Sequence, residues 1–198
     1  VDLNSLYPNT IRSLNMSPET LIGQFTKGEE DWHGIWKGDD KNHILVCDDG
    51  NEYSGTGPEW QELLSRNKWA LSGYGTVFDQ SGAPGVLPTI LGYWYDTRKK
   101  LQAEKKKYGK LYKSESDPIK KEEYRILEEL YDLLQLTKKI QLNSLYGALL
   151  NASFRFSRKE LGASTTGSGR QITTHMMATI SQFFTGEYVE LIKSVEVD

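Results

Sequence analysis

Cysteine is nearly absent from the 198-residue chain: Cys47 stands alone, which excludes an internal disulfide framework and fits a reducing compartment. No apolar run approaches about 18 residues and no signal-peptide pattern is visible, so a soluble intracellular protein is expected. The three histidines, His33, His43 and His175, lack paired ligand spacing, which argues against zinc. The acidic pairs Asp39-Asp40 and Asp48-Asp49 lack the spacing and the closing glutamate of a calcium loop and read as solvated turns. Gly162 to Gly167 has the outline of a phosphate-binding loop, but Ser168 stands where an ATPase would carry lysine. An excess of charge of one sign is lacking too, since the formal net charge is -3. There is no initiator methionine before Val1, which suggests a piece of a longer protein. No internal repeat or long low-complexity tract is present.

What is present is enough apolar content, 37%, for one domain or a domain and a half. Charge is uneven: Arg98 to Lys113 holds eight Lys/Arg residues and only Glu104 against them. Ser17-Pro18-Glu19-Thr20 reads as a turn or helix start, Ile44 to Cys47 as a short strand, and Pro58 to Leu71 as a helix with Trp60, Leu63, Leu64 and Trp69 as its apolar residues. From Pro88 to about Tyr112 the pattern is helical, with Ile90, Leu91, Trp94, Tyr95 and Leu101 at the apolar positions. Asp117 is a natural N-cap before Pro118 at the first helical position, and a second helix is expected to run to about Asn151. Two long helices joined by a short polar loop make an antiparallel hairpin. At 1.5 Å per residue, Arg98 lies roughly 25 Å and Lys139 roughly 33 Å below its tip, so the two cations converge near its base and could clamp a triphosphate.

On the second helix Lys139, Asn143, Tyr146 and Gly147 share one stripe. Leu133, Leu136, Ile140 and, less regularly, Leu142 and Leu145 are available to hold that helix against the protein. Glycine within a helix costs roughly 1 kcal/mol relative to alanine, so Gly147 suggests a close approach of a bulky partner such as a base pair. At the other end of the chain, a strand running into a tight turn at Tyr7-Pro8 opens a short helix carrying Ile11 and Leu14.

Two motifs in these regions carry a resemblance. Lys139-x3-Asn143-Ser144-x-Tyr146-Gly147 resembles the fingers-helix motif of family B DNA polymerases, and Asp2-Leu3-Asn4-Ser5-Leu6-Tyr7-Pro8 resembles their first palm motif. The nearest likeness is to the replicative polymerases of tailed bacteriophages. It implies an α+β fold: a fragment of a polymerase palm with an inserted antiparallel α-helical fingers hairpin. Residues 1–87 would be palm with the first catalytic motif and 88–151 the fingers hairpin. Residues 152–198 would be palm again, with a Ser/Thr-rich segment ending in Gly169-Arg170. A long helix from about Arg170 to Ile192 would follow, burying Ile172, Met176, Ile180, Phe183 and Phe184.

The implied activity is magnesium-dependent nucleotidyl transfer from dNTPs to a primer 3′-hydroxyl, in viral DNA replication within the cytoplasm of an infected bacterial host. Asp2 and the Leu3 carbonyl would hold metal, with two magnesium ions in the complete enzyme. Backbone N–H groups around Ser5 and Leu6 would meet the triphosphate. The Tyr7 ring would exclude a 2′-hydroxyl. Arg98 and Lys139 would neutralise the triphosphate, Asn143 would hold the phosphate tail or order the helix face, and Tyr146 and Gly147 would lie against the nascent base pair. Primer–template DNA and dNTPs are the implied partners, with a sliding clamp and other replisome proteins through regions outside this chain, and no membrane.

The chain departs from the pattern at Asn9-Thr10-Ile11, where the family often has Ser-Ile-Ile. It departs again at Gln102, where many phage relatives carry a lysine for which Lys99 or Lys100 could substitute. The run Lys105 to Lys107 reads as a solvated face. The family's second carboxylate element, Tyr-Gly-Asp-Thr-Asp, does not precede Asp198, so the chain alone is not expected to polymerise. One alternative is a natural piece of a split polymerase, and another is a non-catalytic helical hairpin binding nucleic acid through residues 98–113.

Overall fold

The computed structural model describes residues 5–25 and 32–186. In chain order the elements are α1 (Leu6–Ser13), β1 (Leu21–Phe25), α2 (His33–Lys37), β2 (Asn42–Cys47), β3 (Glu52–Thr56), α3 (Gly57–Asn67), β4 (Trp69–Leu71), β5 (Thr76–Asp79), α4 (Val86–Ser114), α5 (Pro118–Leu149) and α6 (Lys159–Thr185), with a 3-10 turn at Pro18–Thr20. The strands form one antiparallel sheet in the order β3-β2-β1-β5-β4.

Successive side chains of a strand point to opposite faces, and β5 uses this to divide the interior. Phe78 joins a cluster with Ile11, Met16, Leu87, Leu91, Leu142, Leu145, Leu149 and Leu161, which gathers α1, α4, α5 and α6. Its neighbour Val77 joins Phe25, Trp32, Ile35, Leu45, Trp60 and Leu64, which packs α2 and α3 on the sheet's other face. Each such apolar side chain, fully buried, contributes about 1.5–3 kcal/mol, so the first cluster fixes how α1 sits against the long helices and the second holds α2 and α3 on the sheet.

Several expectations are corrected. Pro58 to Leu71 is not one helix. Thr56 and Glu59 form a capping box that starts α3, and left-handed Lys68 (φ 55°), whose N–H bonds back to Leu64 and Ser65, ends it so that Trp69 can enter β4. Leu6, Tyr7 and Pro8 form the first turn of α1 rather than a turn ahead of it. The strand expected before them falls on residues outside those described, and the sheet is built instead from residues 21–79.

The hairpin is present. Asp117 caps α5 by accepting from the Ile119 N–H at 2.9 Å, and cross-helix pairs run antiparallel, from Arg98 with Gln135 at one end to Lys121 over the Tyr112 ring at the other. Of the apolar residues expected to anchor α5, only Leu142 and Leu145 do so. Leu133, Leu136 and Ile140 are 63%, 44% and 59% exposed, whereas Leu142, Leu145 and Leu149 are buried. Only the base of the hairpin is therefore embedded. Above it the two helices hold each other, with Tyr108 stacked on Tyr131 at 5.4 Å and Lys105 paired with Asp132 at 2.8 Å.

The largest correction concerns α6, which begins at Lys159, so the Gly/Ser/Thr segment lies inside the helix. Its small side chains let the helix press on the turn between β4 and β5. Ser72 and Ser164 hydroxyls bond at 3.0 Å, the Gly73 N–H donates to Ser168 Oγ at 2.8 Å, and a Cβ on Gly167 would stand only 2.5 Å from the Gly73 carbonyl oxygen. That contact offsets the poor helix propensity of glycine and serine. Most of the face expected to be buried is open: Ile172, Ile180, Phe183 and Phe184 are exposed and Met176 is half-buried, while Leu161, Gly162, Ser164, Thr165, Ser168, Gly169 and Ala178 are buried. α6 closes at Thr185, and Ile192, the expected end, lies outside the described residues.

Candidate active site

Ser5 adopts left-handed backbone angles (φ 56°, ψ 44°) immediately before α1. A non-glycine residue there is uncommon, and a left-handed residue followed by a right-handed one turns successive N–H groups to the same side, a concavity suited to an anion. Leu6 follows, half-buried, and then Tyr7, which is 36% exposed.

The Tyr7 ring lies 4.7 Å from the ring of Tyr146 on α5, tilted by 45°. The first turn of α1 and the end of α5 thus meet at two aromatic side chains. Behind Tyr7 stands Gly169 of α6, whose hypothetical Cβ would be 3.1 Å from Tyr7 Cε1. The sequence reading missed this third partner. The available signal was a glycine beside Arg170 in a helical context, obscured by treating the whole segment as a loop.

From Tyr146 the stripe on α5 runs outward through exposed Asn143 and Lys139. Gly147 is exposed as well, and a Cβ placed on it would meet nothing within 4 Å among the described residues, so no contact among them requires the glycine. Arg98 Nε donates to Gln135 Oε1 at 3.4 Å. Gln135 precedes Lys139 by one helical turn, on the same face, so the guanidinium reaches the side of α5 that presents the lysine. Gln102, at the departure from the phage pattern, donates to the same Gln135 oxygen at 3.4 Å. Of the two candidate substitutes, Lys99 sits over the Tyr95 ring at 5.5 Å and Lys100 is exposed on α4.

Asp2 and Leu3 lie outside the described residues. Among the described residues no group of three His, Cys, Asp or Glu is arranged to hold a metal ion. The acidic pairs read as solvated turns have structural partners: Asp39 bonds His43 Nε2 at 2.7 Å, and Asp48 pairs with Arg158 at 2.8 Å, tying the start of α6 to the turn after β2. Burial, and then the Asp49 carboxylate, push the Cys47 thiol above its ordinary value, so it is a poor nucleophile near neutral pH. No helix among the described residues is long and apolar enough to cross a membrane.

Comparison with known proteins bears on this geometry. A family model described as DNA polymerase family B matches residues 1–196. A DNA polymerase of Paramecium bursaria Chlorella virus NY2A is 30% identical over 190 residues, covering 96% of this chain and 17% of that protein. The catalytic chain of DNA polymerase alpha from Saccharomyces cerevisiae is 30% identical over 139 residues, 69% of this chain and 8% of that one. The DNA-directed DNA polymerase of Enterobacteria phage T4 is 28% identical over 193 residues, 78% of this chain and 19% of that one. In fold, the chain is similar to the family B DNA polymerase of the archaeon Pyrobaculum calidifontis, with a TM-score of 0.50, 23% identity and coverage of 93% of this chain and 18% of that one. The chain spans less than a fifth of the length of each of these proteins. With a family model matching from the palm-like motif through the hairpin and along α6, the chain belongs to DNA polymerase family B.

Proposed function

We propose that this chain forms the nucleotide-binding part of a DNA-directed DNA polymerase, acting on primer–template DNA and dNTPs. The observation that carries the proposal is the meeting of Tyr7 and Tyr146 at 4.7 Å, beside an open α5 face that continues through Asn143 to Lys139. Core packing brings α1 to the base of α5, and the two motifs then present their polar and aromatic groups side by side, as one shared ligand would require.

In this reading residues 1–87 and 152–198 belong to the palm and 88–151 to the fingers. The N–H groups around Ser5 and Leu6 receive phosphate oxygens. Arg98 and Lys139 neutralise the triphosphate from two helices, a planar fork and a point charge, while Asn143 holds the phosphate tail or orders the helix face. Tyr7 packs beneath the sugar and leaves no room for a 2′-hydroxyl, the group that separates ribonucleotides from deoxyribonucleotides. Tyr146 and the bare backbone at Gly147 lie against the nascent base pair. The primer 3′-oxygen bonds to the α-phosphorus as the bond to pyrophosphate breaks, and positioning with charge neutralisation supplies most of the acceleration.

Magnesium fits the chemistry of the donor set: the Asp2 carboxylate and the Leu3 carbonyl are hard oxygen donors just ahead of the Ser5 turn, and magnesium is bound through one or two carboxylates plus phosphate oxygens. When bound, the ions neutralise phosphate charge and orient the reacting oxygens. The phage T4 relative, 28% identical, is compatible with replication of a bacteriophage genome in the cytoplasm of an infected bacterium, with a sliding clamp engaged through other regions of the protein.

The test is Lys139→Ala in the full-length protein. The expected outcome is a raised dNTP KM and a lowered kcat in single-nucleotide incorporation, with primer–template affinity little changed. Unchanged dNTP affinity and turnover would remove the role given to Lys139.

A further inference from the structure

We infer that Gly169 is a positioning residue for sugar selection, its bare backbone setting how deep the Tyr7 ring can sit. The inference rests on the role proposed for Tyr7. The ring is held from two sides, by Tyr146 at 4.7 Å and by α6 at Gly169. A Cβ at 169 would stand 3.1 Å from Tyr7 Cε1, 3.4 Å from Cδ1 and 3.6 Å from Leu6 Cδ2. Ordinary carbon contacts are about 3.5–4.0 Å, so even one methyl would force the ring or the helix to give way.

The helix has little freedom to retreat. Within the turn and a half before it, Ser168 receives the Gly73 N–H, Ser164 bonds Ser72, and Gly167 touches the Gly73 backbone. Thr165 is within 3.6 Å of Met16 Sδ on the segment that follows α1. The displacement falls on the ring, which must shift away from α6 by a few tenths of an ångström and so changes the depth at which it meets the sugar in the proposed site. Glycine is a poor residue for the interior of a 27-residue helix, and at this buried position the three atoms nearest a Cβ belong to Tyr7 and Leu6.

The experiment is a double-mutant cycle in the full-length protein: parent, Gly169→Ala, Tyr7→Ala and the pair, each assayed for single incorporation of a dNTP and of the matching ribonucleotide. Gly169→Ala is expected to raise the dNTP KM about fivefold to tenfold with little change in kcat, the scale of effect a sub-ångström misplacement produces. The ribonucleotide should be excluded at least as strongly. In the Tyr7→Ala background, where there is no ring to push, Gly169→Ala should change either KM less than about twofold, because coupled sites lose additivity. An unchanged KM in the Gly169→Ala single variant overturns the inference, as does an equal effect in both backgrounds, which would mean general damage to α6. A Tyr7→Ala variant that rejects ribonucleotides as the parent does removes the role given to Tyr7 itself, and the inference with it.

Discussion

Replacing Gly147 and Gly167 by alanine, one at a time, asks opposite things of the same chemical change. Both residues are helical, and glycine-to-alanine in a helix is worth about 0.5–1 kcal/mol in favour of alanine when nothing else intervenes. At Gly147 a new Cβ meets nothing within 4 Å among the described residues, so the full gain, about 0.5–1 kcal/mol, is expected for local stability of α5. At Gly167 it would lie 2.5 Å from the Gly73 oxygen and 2.8 Å from its carbonyl carbon, backbone against backbone, with no side chain able to swing aside. The turn must move by about 1 Å to restore ordinary contact. That movement strains or breaks the Ser72–Ser164 and Gly73–Ser168 hydrogen bonds, worth about 1 kcal/mol each, and adds an overpacking cost of about 1–3 kcal/mol. After the helical gain, a net loss of about 2–4 kcal/mol is expected. Hydrogen exchange of the full-length protein, followed in peptides from α5 and α6, reads the two local stabilities separately. Gly167→Ala should speed exchange in α6, and Gly147→Ala should slow it in α5 while weakening primer–template binding. Equal protection in the two variants would refute the packing of α6 on the turn, and unaltered DNA affinity in Gly147→Ala would refute the reason given for an open glycine.

Two further outcomes test the scaffold. Leu145→Ala, which empties part of the cluster seating α5, should lower stability by about 2–4 kcal/mol, seen as a lower urea midpoint for the transition reporting on this region. Burial alone would raise Glu19, but the Val86 N–H and the Ser17 hydroxyl bind its carboxylate and bring it below its ordinary value of 4.5. The unfolded chain therefore takes up the proton first as pH falls; the contribution is present above pH 4.5 and lost as pH drops through the lower folded value. Melting temperature should fall over that acid window, and Glu19→Gln should flatten the slope.

The long helices were legible because local chemistry and tertiary structure agree there: Asp117 and Pro118 start α5 as their types demand, and a short loop forces the antiparallel return. Which face of α5 is buried was not legible, because apolar residues occur on both sides. Leu133 and Leu142 differ in fate only through what α1, α4 and α6 bring to the helix base. Of the sheet, the strand at Ile44 to Cys47 was legible as part of β2; the other strands escaped notice because they are short, from three to five residues, with Gly23 and Gly55 within two of them. α6 was truncated for the opposite reason: glycine, serine and threonine signal a loop when isolated, and become helical here because Gly73 and Ser72 offer a surface that only small residues can approach. Tyr7 and Tyr146 were joined in expectation by motif resemblance alone. Their contact distance, and Gly169 behind them, depend on three elements distant in sequence.

Because only the lowest turns of the hairpin are embedded, any tilt of it would pivot near Leu145, as a lever does about its fulcrum. The tip lies about 40 Å from that point along α5, and Lys139 about 9 Å. A tilt of about 10° would therefore carry the tip through about 7 Å and the lysine through less than about 2 Å. A push far out on the rod would thus be geared down to a small adjustment near Tyr146. Substitutions near the tip would then change how readily the lever turns without touching any group at its pivot.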